Sequence, residues 1–211
     1  MTTPSDRTAW QLQSMMLAYP DASFPDAVRA VRERLPSIAP EAAAPLQRFV
    51  DHATDTPLSD LAVDYVATFD HRKRCCLYLT YYQHGDTRNR GVALLKLKQA
   101  YRRAGLTLGE DELPDHLAVV LEFIAHGEIE NGRALLFEHR AGVELLRLAL
   151  TELQSPWQAV LESVCAGLPP LRGEEHQAVA RLAAQGPPEE EVGLAPFSPP
   201  EYMPEPAGRP R

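Results

Sequence analysis

The residues best suited to chemistry form one polar corner and two aromatic-acidic stretches. The corner is His84-Gly85-Asp86-Thr87-Arg88-Asn89-Arg90-Gly91. Each arginine there carries five donors, which suits it to carboxylates and to the carbonyl ends of helices. Gly85 and Gly91 offer tight backbone turns on either side of the arginines. The first stretch, from Asp64 through Tyr82, brings Tyr65, Phe69, Asp70, Tyr78, Tyr81 and Tyr82. The second brings Asp115, His116, Glu122 and Phe123.

Catalysis has no foothold in these patterns. His116 and His126 stand ten positions apart, which puts them on different faces of one helix. No Cys-x-x-Cys or His-Glu-x-x-His occurs. There is no glycine loop to cradle a phosphate and no elbow motif to expose a serine. The adjacent Cys75 and Cys76 are poorly placed to bond one another, and Cys165 makes the number odd, so a reducing compartment is expected. The expectation is a protein that is not an enzyme, with no catalytic residue, no metal site and no stably bound cofactor.

A helical domain of this kind can bind a segment of another protein, most simply an amphipathic helix in an apolar groove with charge at its rim. Tyr65, Phe69, Tyr78, Tyr81, Tyr82 and Phe123 can supply the apolar area, the tyrosines with a polar tip. Asp70, Asp115 and Glu122 can supply negative charge at the rim, beside His116. Plainer roles stand next to these: core packing for the aromatics, a helix-start device for Pro114-Asp115, and a buried paired carboxylate for Glu122.

The elements that must position these residues are helices. Leu12, Met15, Met16 and Tyr19 fall at i, i+3, i+4, i+7 before Pro20. Phe24, Val28, Val31 and Leu35 repeat the stripe, as do Leu46, Phe49, Val50 and Ala53. Thr56-Pro57 reads as a cap and first turn for a helix with Leu58, Leu61 and Tyr65 inward. The run from Cys75 to Tyr82 is apolar all round, which predicts a helix buried on most faces and ended by Gly85. Asp86 or Thr87 caps the helix that follows, to Gly105. Pro114 is expected to start the next, with Leu117, Val120, Leu121 and Ile124 in one stripe. Further stripes contain Leu135 and Leu136, then Val143, Leu146, Leu150 and Leu153, then Trp157, Val160, Leu161 and Val164, and finally Val179, Leu182 and Ala183. No alternating strand pattern and no repeat of constant length appears. The fold class is all-α, an irregular single-domain helical bundle, expected to be monomeric.

The chain has 211 residues, of which 45% are hydrophobic and 24% charged, with a net charge of −8. That balance argues against a nucleic-acid partner and suits a basic one. No apolar run is long enough to cross a bilayer, and Met1 to Arg7 lacks a signal core, so a cytoplasmic protein without stable membrane insertion is expected. The expected domain is 1–184. Residues 185–211 change composition: eight of the 19 prolines fall beyond Gly186, with Glu189-Glu190-Glu191. So little apolar area cannot offset the entropy of ordering, which predicts a disordered tail, either solubilising or carrying a docking element at Phe197, Tyr202 and Met203.

As an ordered set, Tyr65, Phe69-Asp70, His84-Gly85, Arg88, Arg90-Gly91, Tyr101 and Gly105-Leu106 resemble the NarJ family, the chaperones that assemble the molybdenum-cofactor subunit of respiratory nitrate reductase. Glu112-Leu113-Pro114-Asp115-His116-Leu117 and Leu121-Glu122-Phe123 resemble a second signature of the wider redox-enzyme maturation chaperones of TorD type. The resemblance runs from about Trp10 to Ala166, and the chain departs from the pattern at Arg72-Lys73-Arg74, Cys75-Cys76 and Tyr78. It implies an all-helical chaperone that binds the N-terminal segment of the immature catalytic (alpha) subunit. The chaperone would hold that subunit in the cytoplasm while the molybdenum cofactor is delivered to it. Two alternatives stand beside it: a maturation chaperone for a different molybdoenzyme, or a helical scaffold with no maturation role. The Arg88–Gly91 corner favours the first reading.

Overall fold

The computed structural model describes residues 4–109, 112–127 and 129–186. The expected disordered tail falls almost wholly on 187–211, outside the described residues. Eleven α-helices occur among those described. In chain order they are α1 (Pro4–Met16), α2 (Phe24–Arg34), α3 (Pro40–Asp55), α4 (Leu58–Tyr65), α5 (Leu79–His84) and α6 (Arg88–Arg103). Then follow α7 (Leu117–His126), α8 (Ile129–Glu138), α9 (Arg140–Glu152), α10 (Gln158–Ala166) and α11 (Gly173–Gln185). No strand forms among the described residues, and the one extended pairing is an isolated bridge between Tyr78 and His116. The fold is the expected all-α bundle.

The apolar stripes determine which helices meet. α1 packs on α7, α3 on α10, and α11 on α9. Leu12, Met16, Leu46, Leu121 and Val160 are wholly or almost wholly buried between them. Each such side chain stabilises by about 2 kcal/mol on leaving water. Trp157 is the aromatic centre, with no exposed surface; the rings of Phe49, Tyr65 and Phe69 lie 5.5–5.6 Å from it. Several polar groups inside this core are paired, whereas Trp157 Nε1 and Gln13 Oε1 find no hydrogen-bond partner among the described residues. Gln13 Nε2 donates to Ser163 Oγ at 2.8 Å, Ser163 donates onward to the Ala42 carbonyl, and Ser14 donates to that of Ala118. These bonds link α1 to α10, α3 and α7 where a lost partner would cost the full desolvation of the group.

The middle of the chain departs from its periodicity. Cys75 to Tyr82 is not one helix. Lys73–Cys75 makes a 3₁₀ turn, Cys76 and Tyr78 are extended, and α5 begins only at Leu79. The reason is long-range. Leu79 N–H donates to the Asp115 carbonyl at 2.9 Å and Leu117 N–H to the Leu77 carbonyl at 2.8 Å. These bonds hold 77–79 in an extended pairing that a helix cannot make. For the same reason α7 begins at Leu117 and not at Pro114. Thr56 does not cap α4, whose first flanking residue is Pro57; its hydroxyl donates back to the His52 carbonyl. Beyond Tyr65 the backbone widens over Val66–Asp70, where His71 N–H reaches the Val66 carbonyl five residues back.

Candidate functional site

The Tyr78–His116 bridge brings the two halves of the site together. It is a non-hydrogen-bonded antiparallel pair, the geometry that sets side chains closest. The two rings meet edge to face at 5.4 Å. His116 is also the N-cap of α7, accepting the Ala118 N–H on Nδ1 at 3.3 Å. Burial pushes the His116 pKa down, and the neighbouring Asp115 offsets this only in part. His116 is therefore a neutral acceptor near pH 7.

Asp115 points the other way and has no exposed surface. Its Oδ2 accepts the Thr80 hydroxyl at 2.5 Å and the Thr80 N–H at 3.3 Å, so the carboxylate caps α5 from outside. Arg90 Nη2 lies 3.5 Å from the same oxygen. The guanidinium also bonds Thr80 Oγ1 and Asp86, and it covers the Tyr78 ring at 5.4 Å. The polar corner thus ties α5, α6 and the start of α7 through one arginine. Gly85 turns the chain with φ 55°. The Thr87 side chain donates to the His84 carbonyl and makes no cap bond to α6. Gly91 is inside α6 and turns nothing, contrary to the sequence reading. Arg88 opens the same helix, on its exposed side.

Above this floor lies a cleft of about 580 Å³ between α1, the widened turn after α4, and α7. Tyr65, Phe69, Asp70, Leu77, Tyr78, His116 and Glu122 line one part of it, and Gln11, Met15, Ala18 and Tyr19 the other. Tyr19 stands edge-on to Tyr65 at 5.6 Å, and Tyr65 is 4.7 Å from Phe69. Burial raises the pKa of Tyr65, whose hydroxyl donates to the Leu17 carbonyl, and also that of Tyr78, so both stay neutral. Asp70, Glu112 and Glu122 are exposed at the rim, and among the described residues no lysine or arginine lines the cleft. A second cleft of about 360 Å³ shares Glu112, Val119 and Glu122 with the first and contains Phe123 and Tyr101.

Six residues read from the sequence as groove residues therefore meet in one cleft: Tyr65, Phe69, Asp70, Tyr78, His116 and Glu122. Four do not. Asp115 is not a rim charge, because capping α5 and pairing with Arg90 hold it inside. Tyr82 is core, its hydroxyl held by the carbonyls of Arg74 and Cys76. Tyr81 is 8% exposed and packs on Tyr82. Phe123 faces Tyr101 at 4.4 Å, in the second cleft. Sequence reasoning missed the α1 wall. Tyr19 continues the stripe of Met15 by four residues, but α1 ends at Met16, and Tyr19 is left 52% exposed over the cleft.

Among the described residues no three of His, Cys, Asp and Glu are grouped to hold a metal ion. Burial raises the pKa of Cys75, Cys165 and Cys76, the last to about 11, which disfavours the reactive thiolate. No described helix is long and apolar enough to cross a membrane.

Comparison with known proteins places this architecture. The nitrate reductase-like protein NarX of Mycobacterium tuberculosis is 40% identical over 156 residues, 74% of this chain. The match spans only 24% of NarX, so the chain corresponds to about a quarter of that relative. A protein of Bacillus subtilis assigned as nitrate reductase molybdenum cofactor assembly chaperone NarJ is 33% identical, over 80% of this chain and 92% of its own length. The NarJ chaperone of Escherichia coli K12 is 33% identical over 53% of this chain and 49% of its own. A crystal structure assigned to a redox enzyme maturation protein of Archaeoglobus fulgidus shares the fold. Its TM-score is 0.55, at 24% identity, over 74% of this chain and 90% of that one. The family model described as nitrate reductase delta subunit matches residues 33–162. With most of its helical body inside that match, the chain belongs to the nitrate reductase delta subunit family, as the resemblance to NarJ implied.

Proposed function

We propose that this chain is an assembly chaperone for nitrate reductase. It binds the N-terminal segment of the immature catalytic subunit in the cleft between α1 and α7. It holds that subunit while the molybdenum cofactor is inserted, and then leaves. The cofactor is cargo for the partner, and no residue here is assigned to it. The chain acts as a monomer, in the cytoplasm, and is a binding protein and not an enzyme. Relatives named as molybdenum cofactor assembly chaperones support the role.

The observation that carries the binding mode is the charge of the cleft. Aromatic and aliphatic side chains line it, three carboxylates stand at its rim, and no lysine or arginine among the described residues stands in the lining to neutralise them. That suits an amphipathic helix with one apolar face and basic residues along its edge. Neutral His116 leaves this negative field intact near pH 7.

The test is titration of the chain with a synthetic peptide copied from the N-terminus of the nitrate reductase catalytic subunit. One-to-one binding, weakened by Met15→Ala in an intact fold, is expected. No binding overturns the reading. Tighter binding of the N-terminal peptide of another molybdoenzyme moves the chain to that partner.

A further inference from the structure

Helix α6 carries charge of one sign only. Arg88, Arg90, Lys96, Lys98, Arg102 and Arg103 lie on it with no acid, in a chain whose net charge is −8. Its buried residues are Leu97 and Tyr101. At 100° per residue, Val92, Leu95, Lys96, Gln99, Arg102 and Arg103 share the opposite side. All six are exposed, Val92 by 55% and Leu95 by 61%. Among the described residues no ion pair joins Lys96, Lys98, Arg102 or Arg103 to an acid. Lys98 and Arg102, at i and i+4, repel each other. The face is cationic, with two bare aliphatics along it, on a chain of net charge −8.

The complement is in the same chain. Residues 187–208 contain Glu189, Glu190, Glu191, Glu201 and Glu205 and no basic residue, with Leu194, Phe197, Tyr202 and Met203 among them. A domain of this size has a radius of gyration of about 16 Å. The 25 residues beyond Gly186 can extend roughly 80 Å, enough to reach any part of it. We propose that residues 187–208 seat on the outer face of α6 in the same chain, their glutamates on its free cations and Phe197 over Val92 and Leu95. There the segment's glutamates gain charge neutralisation and its apolar residues gain cover. Attachment raises its effective concentration to the millimolar range, so weak contacts suffice and a second copy competes poorly.

The three lysines of the chain make a direct test. Lys96 and Lys98 lie on α6, and Lys73, exposed between Arg72 and Arg74, is an equally basic control. The full chain is treated with a zero-length carbodiimide at low salt, and the cross-linked peptides are read by mass spectrometry. Links from Glu189–Glu205 to Lys96 or Lys98 should exceed those to Lys73 by roughly fivefold or more. They should not depend on protein concentration, and should approach parity near 1 M salt, where the screening length is about 3 Å. Val92→Ser with Leu95→Ser, both at exposed sites, should cut the excess. Parity with Lys73 at low salt overturns the proposal. Links found only in covalent dimers overturn it in favour of a second copy. No links, with sedimentation of the chain on phosphatidylglycerol vesicles, overturns it in favour of a lipid surface.

Discussion

Asp115 and Arg90 form the one ion pair in which a carboxylate has no exposed surface, 3.5 Å apart, among the pairs of the described residues. Removing one member of such a pair leaves the other charge buried and uncompensated, at a cost of about 3–5 kcal/mol. Arg90 is 19% exposed, so water offsets part of that. Arg90→Ala should therefore lose about 2–3 kcal/mol in urea unfolding. Asp115→Asn, which can still accept from Thr80, should lose less. Equal stability of Arg90→Ala and wild type would show that the corner does not hold α5, α6 and α7 together.

Burial holds two histidines, His116 and His139, below their ordinary pKa in the folded chain. Unfolded, each takes its proton near pH 6.5. Below that pH the unfolded chain binds more protons than the folded one. Stability must then fall with falling pH, and level off once the folded-state values are passed. The denaturation midpoint should drop between about pH 7.5 and about pH 5.5. His116→Asn keeps an acceptor for Ala118 N–H and removes one titration, so its drop should be shallower. An identical slope would place the His116 proton exchange outside folding.

What the sequence made legible follows from the range of each interaction. The stripes of α2, α3, α7 and α10 repeat within a few residues, and their burial matches them. The Tyr78–His116 bridge could not be read this way. A short apolar run looks alike as a helix or as an extended piece, and Asp115 meets Thr80 across 35 residues of sequence. Asp115 beside a helix start reads as a surface acid; only the fold shows that it caps a different helix. The acidic and aromatic content of the cleft was legible, whereas its α1 wall depended on where α7 leaves Met15 and Tyr19 uncovered.

Gly142 in α9 illustrates how closely α5 is fitted. A Cβ there would lie 2.8–2.9 Å from the Tyr82 side chain. Tyr82 cannot retreat freely, because its hydroxyl is held by two carbonyls. Alanine would gain about 1 kcal/mol of helix propensity. Overpacking would cost about 1–3 kcal/mol. Gly142→Ala should thus lower the melting temperature by a few degrees despite the better helix former, and an increase would mean that α5 can shift.

Binding in the cleft should separate area from charge. Apolar burial contributes about 25 cal/mol per Å² before ordering costs, while exposed charges act mainly on orientation and on-rate. Tyr19, 52% exposed and edge-on to Tyr65, is available to a ligand as apolar area. Glu122 is an exposed rim carboxylate. Tyr19→Ala should weaken binding of a basic amphipathic peptide about tenfold, or 1.4 kcal/mol, at low and high salt alike. Glu122→Gln should weaken it about threefold at low salt and hardly at all near 0.5 M, where exposed charges are screened. Calorimetric titration at the two ionic strengths distinguishes them. If Glu122→Gln were the worse variant at high salt, or if both left binding unchanged in an intact fold, the peptide would sit on another face of the bundle.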